Sequence, residues 1–486
     1  MKLKQAFLDS YRSDRVLIFE WVLAAVTAIF IILTSAYVDM RSLTIWSTNV
    51  WDVTLDSNIR HLYEYTAQNV NQIQHAKMGS ELFSVLPWSV WNLPIWAIQR
   101  FGGIPIATSP WMLMYSKMFT VVLALVILRY TKKITMLLTN DPVKAQWAMF
   151  LSASSSFLLL ATCYAGQNDI LMMAPSVIGI YHLLRGKEKT FLAWSAVAIA
   201  IKPFFAVPFL AVLLLYEKNI FKAALKALIS VSGMFVQKLL FMGAPMYKEC
   251  ISDGPSKMML EQMFPANINT AYGGISFFAI ALVLIYFYCY SLDFSHDNIK
   301  KGDKYFAEFV IYTVTMTYTA NLILSPVTFY RMAVLIPFLY ITIVLNSRMR
   351  FYNGVIETAM TAGIIAKFAV RYSSSLFRIK TINYAVVQYL FGYRVIDGDE
   401  GSYTSIETYV QDNSELLIAF QPVFAGIAVI GAALLLWFNH PDRRHKQTLA
   451  CGEKNCRVLL WVRAVLLIPF IALTLWMFYK APIKLY

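Results

Sequence analysis

Charge is scarce in this chain. Only 14% of its 486 residues are Asp, Glu, Lys or Arg and 58% are hydrophobic, whereas a soluble domain carries about a quarter charged residues. With a mean hydropathy of +0.55, a water-soluble globule, a disordered segment and a collagen-like fibre are excluded. Cysteine is sparse too, and five residues build no disulfide framework. Cys289 lies in an apolar run and Cys451 and Cys456 in a basic segment, which leaves Cys163 and Cys250 as a pair that could meet at one face. No Gly-x-x-x-x-Gly-Lys-Ser/Thr loop occurs, which argues against ATP-driven work by this chain. No internal repeat is evident, which weakens a transporter built from inverted halves. Asn-x-Ser/Thr sequons are missing as well, in keeping with a bacterial protein. Asp397-Gly398-Asp399-Glu400-Gly401 fails as a calcium loop, because Ser402 replaces the glycine and Thr408 the closing glutamate. His440, His445, Cys451 and Cys456 do not have zinc-site spacing, so no metal or other cofactor is expected.

What the chain has is long apolar runs. Roughly 20 apolar residues cross a bilayer core of about 30 Å. Such runs start at Val16–Tyr37 and recur at Trp111–Arg129, Gln146–Cys163, Ile170–Leu184 and Phe191–Tyr216, the last interrupted at Lys202-Pro203. They continue through Leu225–Gly243, Ile275–Tyr290, Phe306–Leu324, Met332–Leu345, Val355–Val370, Leu416–Phe438 and Val458–Tyr479. The first run lacks a signal-peptide cleavage site and is long enough to remain as an anchor. The net charge of +14 does not form a continuous nucleic-acid-binding face but collects in short connections. These are Arg129–Lys144, Arg185–Lys189, Lys218–Lys226, Lys300–Lys304, Arg348–Arg350 and Arg443–Arg457, with Lys2, Lys4, Arg12 and Arg15 at the amino terminus. Lys and Arg in short loops mark the cytoplasmic side. All of them share one side only if the chain crosses twice between Lys189 and Lys218. The expectation is therefore an all-α polytopic membrane protein of about thirteen transmembrane helices, amino terminus inside and carboxyl terminus outside.

Three long segments then fall outside: Val38–Pro110, Ala244–Gly274 and Arg371–Glu415. The first ends in LFSVLPWSVWNLPIWAIQRFGG, whose Trp88, Trp91, Trp96, Pro87 and Pro94 suggest an interfacial helix on the outer surface. Earlier in the loop, Asp56, Arg60 and Tyr63 fall at i, i+4 and i+7, on one face if helical, with Asp52 a turn before. A carboxylate beside an arginine at the water–lipid boundary could act as a base near a lipid phosphate; Asp56 could equally cap a helix. Gln167-Asn168-Asp169 forms a polar turn between two spans, in which Asn168 or Asp169 could bind substrate or cap the following helix. Lys202 lies between apolar stretches and could either snorkel or hold an anion. Tyr330-Arg331, at the end of Ser325–Arg331, puts another cation at an outer span end.

This order of an acidic first loop, GQNDILMMAPSVIGIYHLLRG, FLAWSAVAIAIKPFFAVPFLAVLLLYEK and a late SPVTFYRMAVLIPF resembles the GT-C superfamily of polytopic glycosyltransferases, most closely its bacterial mannosyltransferase-like branch. The resemblance covers about residues 16–346. It implies a catalytic module over residues 1–346, with first outer loop 38–110, and a variable transmembrane region over 347–486, with outer loop 371–415. It also implies a sugar donor linked to polyprenyl phosphate, a glycan or glycolipid acceptor, an outer-face site in a bacterial plasma membrane, and inversion at the anomeric carbon. Carried over by position, the catalytic base is Asp56, with Asp52 the alternative. Lys202, Arg331 and Arg60 bind the donor phosphate, and Asp169, Asn168, Gln167, Tyr63 and Tyr330 bind substrate. The expected partners are these substrates and membrane lipids, and no nucleic acid is expected. Competing readings are a lipid-linked saccharide flippase or transporter, or a polysaccharide polymerase or ligase. The loop charges also predict that a reporter fused after Tyr486 is active only outside the cytoplasm; activity confined to the cytoplasm would refute the topology.

Overall fold

The computed structural model describes residues 15–34, 38–68, 77–104, 110–251, 267–270, 273–325, 329–371 and 414–444. Val458–Tyr479, nearly all of the loop 371–415, His445, Cys451, Cys456 and the amino-terminal Lys2, Lys4 and Arg12 lie outside the described residues. The described residues are 87% helical. Their only sheet is an antiparallel pair, β1 (Asn267–Thr270) and β2 (Gly273–Ser276), in the register Asn267 to Ser276. In chain order the helices are α1 (Ile18–Thr34), α2 (Val38–Asp56), α3 (Leu62–Gln68), α4 (Leu82–Trp91), α5 (Leu93–Gly102) and α6 (Pro110–Thr139). There follow α7 (Pro142–Ala153), α8 (Ser156–Leu159), α9 (Asn168–Leu184), α10 (Glu188–Ile201), α11 (Ala206–Tyr216) and α12 (Ile220–Leu240). The described helices continue with α13 (Phe277–Ser291), α14 (His296–Lys301), α15 (Lys304–Leu324), α16 (Ile336–Leu345), α17 (Arg350–Arg371) and α18 (Ser414–Asn439).

The short basic connections supply the helix starts. A helix leaves its first N–H groups without intrahelical acceptors, and Asp, Asn and Ser side chains can supply them. Asp141 accepts from the Val143 and Lys144 amides at 2.8 and 3.2 Å, and Asn219 from that of Lys222 at 3.1 Å. Ser295 and Asn298 form a capping box on α14, and Asp303 accepts from the Tyr305 amide.

Two environments separate the helices. Nearly every residue of α9 and α16 is buried, which for apolar helices marks a protein-enclosed core. By contrast, α12, α13 and α18 turn apolar side chains outward, with Phe221 88%, Phe287 73% and Trp437 58% exposed. Outward apolar faces of this extent suit lipid better than water.

Among the described residues, three helical segments are long and apolar enough to cross a membrane: Trp111–Thr139, Ile220–Leu240 and Ile418–Asn439. The number is five if two bent pairs are each one span: Pro142–Ala153 with Ser156–Tyr164, bent by 52°, and Tyr330–Leu345 with Ser347–Lys367, bent by 95°. The expected straight run Gln146–Cys163 is thus broken, at Ser154-Ser155, and ends in a π-helical turn, Leu160–Tyr164. Phe191–Tyr216 is broken where the sequence places the interruption, since the residue before a proline avoids helical backbone. Lys202 is extended at φ −154°, between the end of α10 and the turn Pro203–Phe205.

The connections around α11 and α14 meet in an ion cluster. Lys226 bridges Glu188 at 2.6 Å and Glu217 at 2.7 Å, and His296 Nε2 approaches Glu217 at 2.9 Å. Burial works against the Glu217 carboxylate, but hydrogen bonds from Lys226, His296 and the Asn219 amide outweigh it and bring its pKa from 4.5 down to about 2. A depressed carboxylate pKa stabilises the fold above its unfolded value, and that stability is lost as pH falls through the folded one. Glu217→Gln is expected to lower stability at neutral pH and to flatten its fall between about pH 4.5 and 2. Thermal midpoints of the purified protein across that range would check it.

Candidate functional site

The site begins where α1 gives way to α2. Near the end of α1, the Ile31 and Ile32 carbonyls lie 3.4 and 3.5 Å from Lys117 Nζ, a fully buried lysine of α6. An Nζ–H donor suits the unpaired carbonyls at a helix end. Asp39 follows in the first turn of α2. It meets the turn that leaves the π-helical segment, where the Gln167 amide bonds back to the Ala161 carbonyl at 3.1 Å. Gly166 has φ +58°, and a Cβ there would stand 2.3 Å from Met40 Sδ. Glycine therefore lets the residue beside Asp39 seat against the turn. Gln167 Nε2 then donates to Asp39 Oδ2 at 2.8 Å.

Two residues on, Asp169 is buried in the first turn of α9 and accepts from Lys202 Nζ at 2.7 Å. Because Asp169 starts α9 and Lys202 closes α10, this ion pair clasps the open end of an antiparallel hairpin. Arg331 lies within electrostatic reach of both Lys202 and Asp39. Two carboxylates and two cations from four segments thus share one pocket of charge. The cluster is not internally saturated: among the described residues, buried Asp169 Oδ2 and Arg331 Nε have no hydrogen-bond partner. Burial pushes the Asp39 carboxyl above its ordinary value, against the Gln167 bond and the two cations, which pull it down. A carboxylate shifted in that direction is a stronger proton acceptor than an ordinary one. No three His, Cys, Asp or Glu side chains among the described residues converge as metal ligands.

The structure brings together Gln167, Asn168, Asp169, Lys202 and Arg331. Tyr330, buried, directly precedes Arg331. Neither Asn168 nor Asp169 caps α9: Gln167 holds that position, Asn168 accepts the Trp88 indole N–H at 2.7 Å, and Asp169 takes the lysine. Lys202 is paired rather than snorkelling alone, its side chain 22% exposed.

The first-loop residues lie elsewhere. The one-face reading of Asp56, Arg60 and Tyr63 is corrected, because α2 stops at Asp56 and Asn58 caps a new turn, accepting from the Arg60 amide at 3.0 Å. Asp56 instead forms a two-pronged pair with Arg100 of α5, at 2.7 and 2.9 Å, and Asp52 accepts the Trp96 indole N–H at 2.8 Å. Arg60 is exposed, and Tyr63 is fully buried against Phe241 and Tyr247. Thirteen and seventeen residues along one helix put Asp52 and Asp56 about 20 and 25 Å from Asp39. The tryptophan-rich piece is also not one surface helix. It is two helices meeting at Asn92, and α4 buries Ser84, Val85 and Trp88 in the bundle. Cys163 and Cys250 are both free and buried, so the pair considered for a disulfide does not form.

Sequence reasoning missed Asp39, Lys117 and the role of Trp88. For Asp39 a signal existed: it is the first carboxylate after the first apolar run. Comparison with protein families, curated proteins and solved structures finds no match. Removing one partner of a buried ion pair strands the other charge. Asp169→Asn should therefore cost on the order of 3 kcal/mol, and Asp169→Leu combined with Lys202→Met less than that. Thermal unfolding of the purified variants measures the order.

Proposed function

We propose that this chain is a GT-C-type membrane glycosyltransferase that moves a sugar from a polyprenyl-phosphate-linked donor to a glycan or glycolipid acceptor at the outer membrane face. The observation that supports this reading best is the convergence of Asp39, Asp169, Lys202 and Arg331 at helix ends in an otherwise apolar bundle. A carboxylate that can take a proton, beside two cations that can face a phosphate, suits displacement at a carbon bearing a phosphate leaving group.

In this mechanism Asp39, rather than Asp56 or Asp52, is the general base. Its Oδ2 is held by Gln167, which leaves Oδ1 outside that bond to take the acceptor hydroxyl proton. The acceptor oxygen attacks the anomeric carbon as the carbon–oxygen bond to phosphate breaks, and that bond's electron pair leaves with the lipid phosphate. Lys202 and Arg331 stabilise the charge that grows there. Asp169 orients Lys202. Direct displacement inverts the anomeric centre. About thirteen spans, the amino terminus inside and the site outside belong to the same proposal and rest on the loop charges.

Asp39→Asn should slow release of lipid phosphate from a labelled polyprenyl-phospho-sugar by about 10²–10⁴-fold. Asp52→Asn and Asp56→Asn should leave it near wild type. Activity of the wild type should fall as pH is lowered through the Asp39 pKa, which burial raises from its ordinary value. Normal turnover by folded Asp39→Asn would overturn the assignment. Movement of the donor without its consumption would favour a flippase, and transfer of a preassembled chain a polymerase or ligase.

A further inference from the structure

Many buried serines and threonines among the described residues bond back to their own helix, as Thr131 does to Ile127 and Ser176 to Met172. Ser84 does not. Its hydroxyl crosses from α4 to donate to the Ile201 carbonyl. One turn further on the same face, Trp88 donates its indole N–H to Asn168. Ile201 immediately precedes Lys202, and Asn168 immediately precedes Asp169. A single face of α4 thus grips the chain next to each member of the ion pair.

A second helix completes the arrangement. Gln237 of α12 donates to the Ala200 carbonyl at 2.8 Å and accepts the Phe83 amide N–H, in the first turn of α4, at 2.7 Å. One turn earlier, a Cβ on Gly233 would stand 2.7 Å from Ala200 Cβ. Glycine at that point permits the approach that brings Gln237 to the end of α10. Ser84, Trp88, Asn168 and Gln237 are all buried, where an unmade hydrogen bond is costly and a made one fixes geometry.

We infer that Ser84, Trp88 and Gln237 form a brace that sets the separation and orientation of Asp169 and Lys202, and that Ser84 and Trp88 are positioning residues for use of the anionic donor. The brace follows from the geometry; its part in donor use rests on the glycosyltransfer proposed above. It gives the tryptophan-rich helix a role distinct from lying at an interface.

Two measurements on the full-length protein in lipid nanodiscs test it separately. In the first, Trp88→Phe, which keeps an aromatic ring against Phe119, is combined with Asp169→Asn, and thermal midpoints are compared. A brace acting on the pair makes the combined loss smaller than the sum of the single losses; strict additivity overturns the brace. In the second, donor KM and kcat are measured with the labelled polyprenyl-phospho-sugar. Trp88→Phe and Ser84→Ala should each raise donor KM about tenfold, the factor that corresponds to one buried hydrogen bond, with a smaller change in kcat. Ser84→Thr, which keeps the hydroxyl, should restore the wild-type value. In a Lys202→Met background the same two changes should leave donor KM where that variant sets it. Equal effects in both backgrounds would mean that the residues merely hold the fold, and would overturn the positioning role. Should wild type consume no donor, the glycosyltransfer reading falls while the stability cycle still decides the brace.

Discussion

The architecture depends on keeping one lysine charged among apolar helices. An ammonium moved from water into a protein interior loses several kcal/mol of hydration, and only close opposite charge with further polar contacts offsets it. Lys202 meets that demand through Asp169 at 2.7 Å, which requires the start of α9 and the end of α10 to coincide. Pro203 ends α10 at the position that places Lys202 there. The hairpin, the break after it and the brace from α4 and α12 all serve the same contact.

Around this contact the helices sort by what their surfaces can tolerate. Buried over nearly all of their length, α9 and α16 belong to the enclosed core of the bundle. The exposed apolar faces on α12, α13 and α18 suit lipid better than water. The charged side chains of the cluster sit at or beside helix ends, where unpaired backbone groups need partners in any case. The ion cluster of Glu188, Glu217, Lys226 and His296 joins the connections around α11 and α14 by the same logic.

α2 divides the polar equipment in two. Its first turn carries Asp39 into the cluster, held by Gln167 over a turn that Gly166 keeps low. Its last turns carry Asp52 and Asp56 to α5, where Trp96 and Arg100 take up their oxygens. A carboxylate already matched by a two-pronged arginine on a neighbouring helix would be poorly placed to serve the proposed transfer from a phosphate ester at Lys202. In the proposed mechanism that physical contrast, rather than proximity in the chain, favours Asp39.

Composition and hydrophobic run length determined by themselves that the chain is helical and apolar, because backbone groups in an apolar setting must be satisfied within each segment. Local chemistry also determined the break at Lys202-Pro203, since a proline restricts the residue before it wherever it stands. The polar candidates Gln167, Asp169, Lys202 and Arg331 were legible as well, because each is an expensive residue in an apolar context. Their partners were not. Asp39 and Gln167 are separated by more than a hundred residues, and Trp88 and Asn168 by eighty, and nothing in local spacing records such contacts. The helix break at Ser57-Asn58 likewise undid the i, i+4, i+7 reading of Asp56, Arg60 and Tyr63, which holds only if one helix carries all three. Which carboxylate stands beside the cations was decided by packing alone, because Gly166, Met40 and the π-helical turn set the approach of α2.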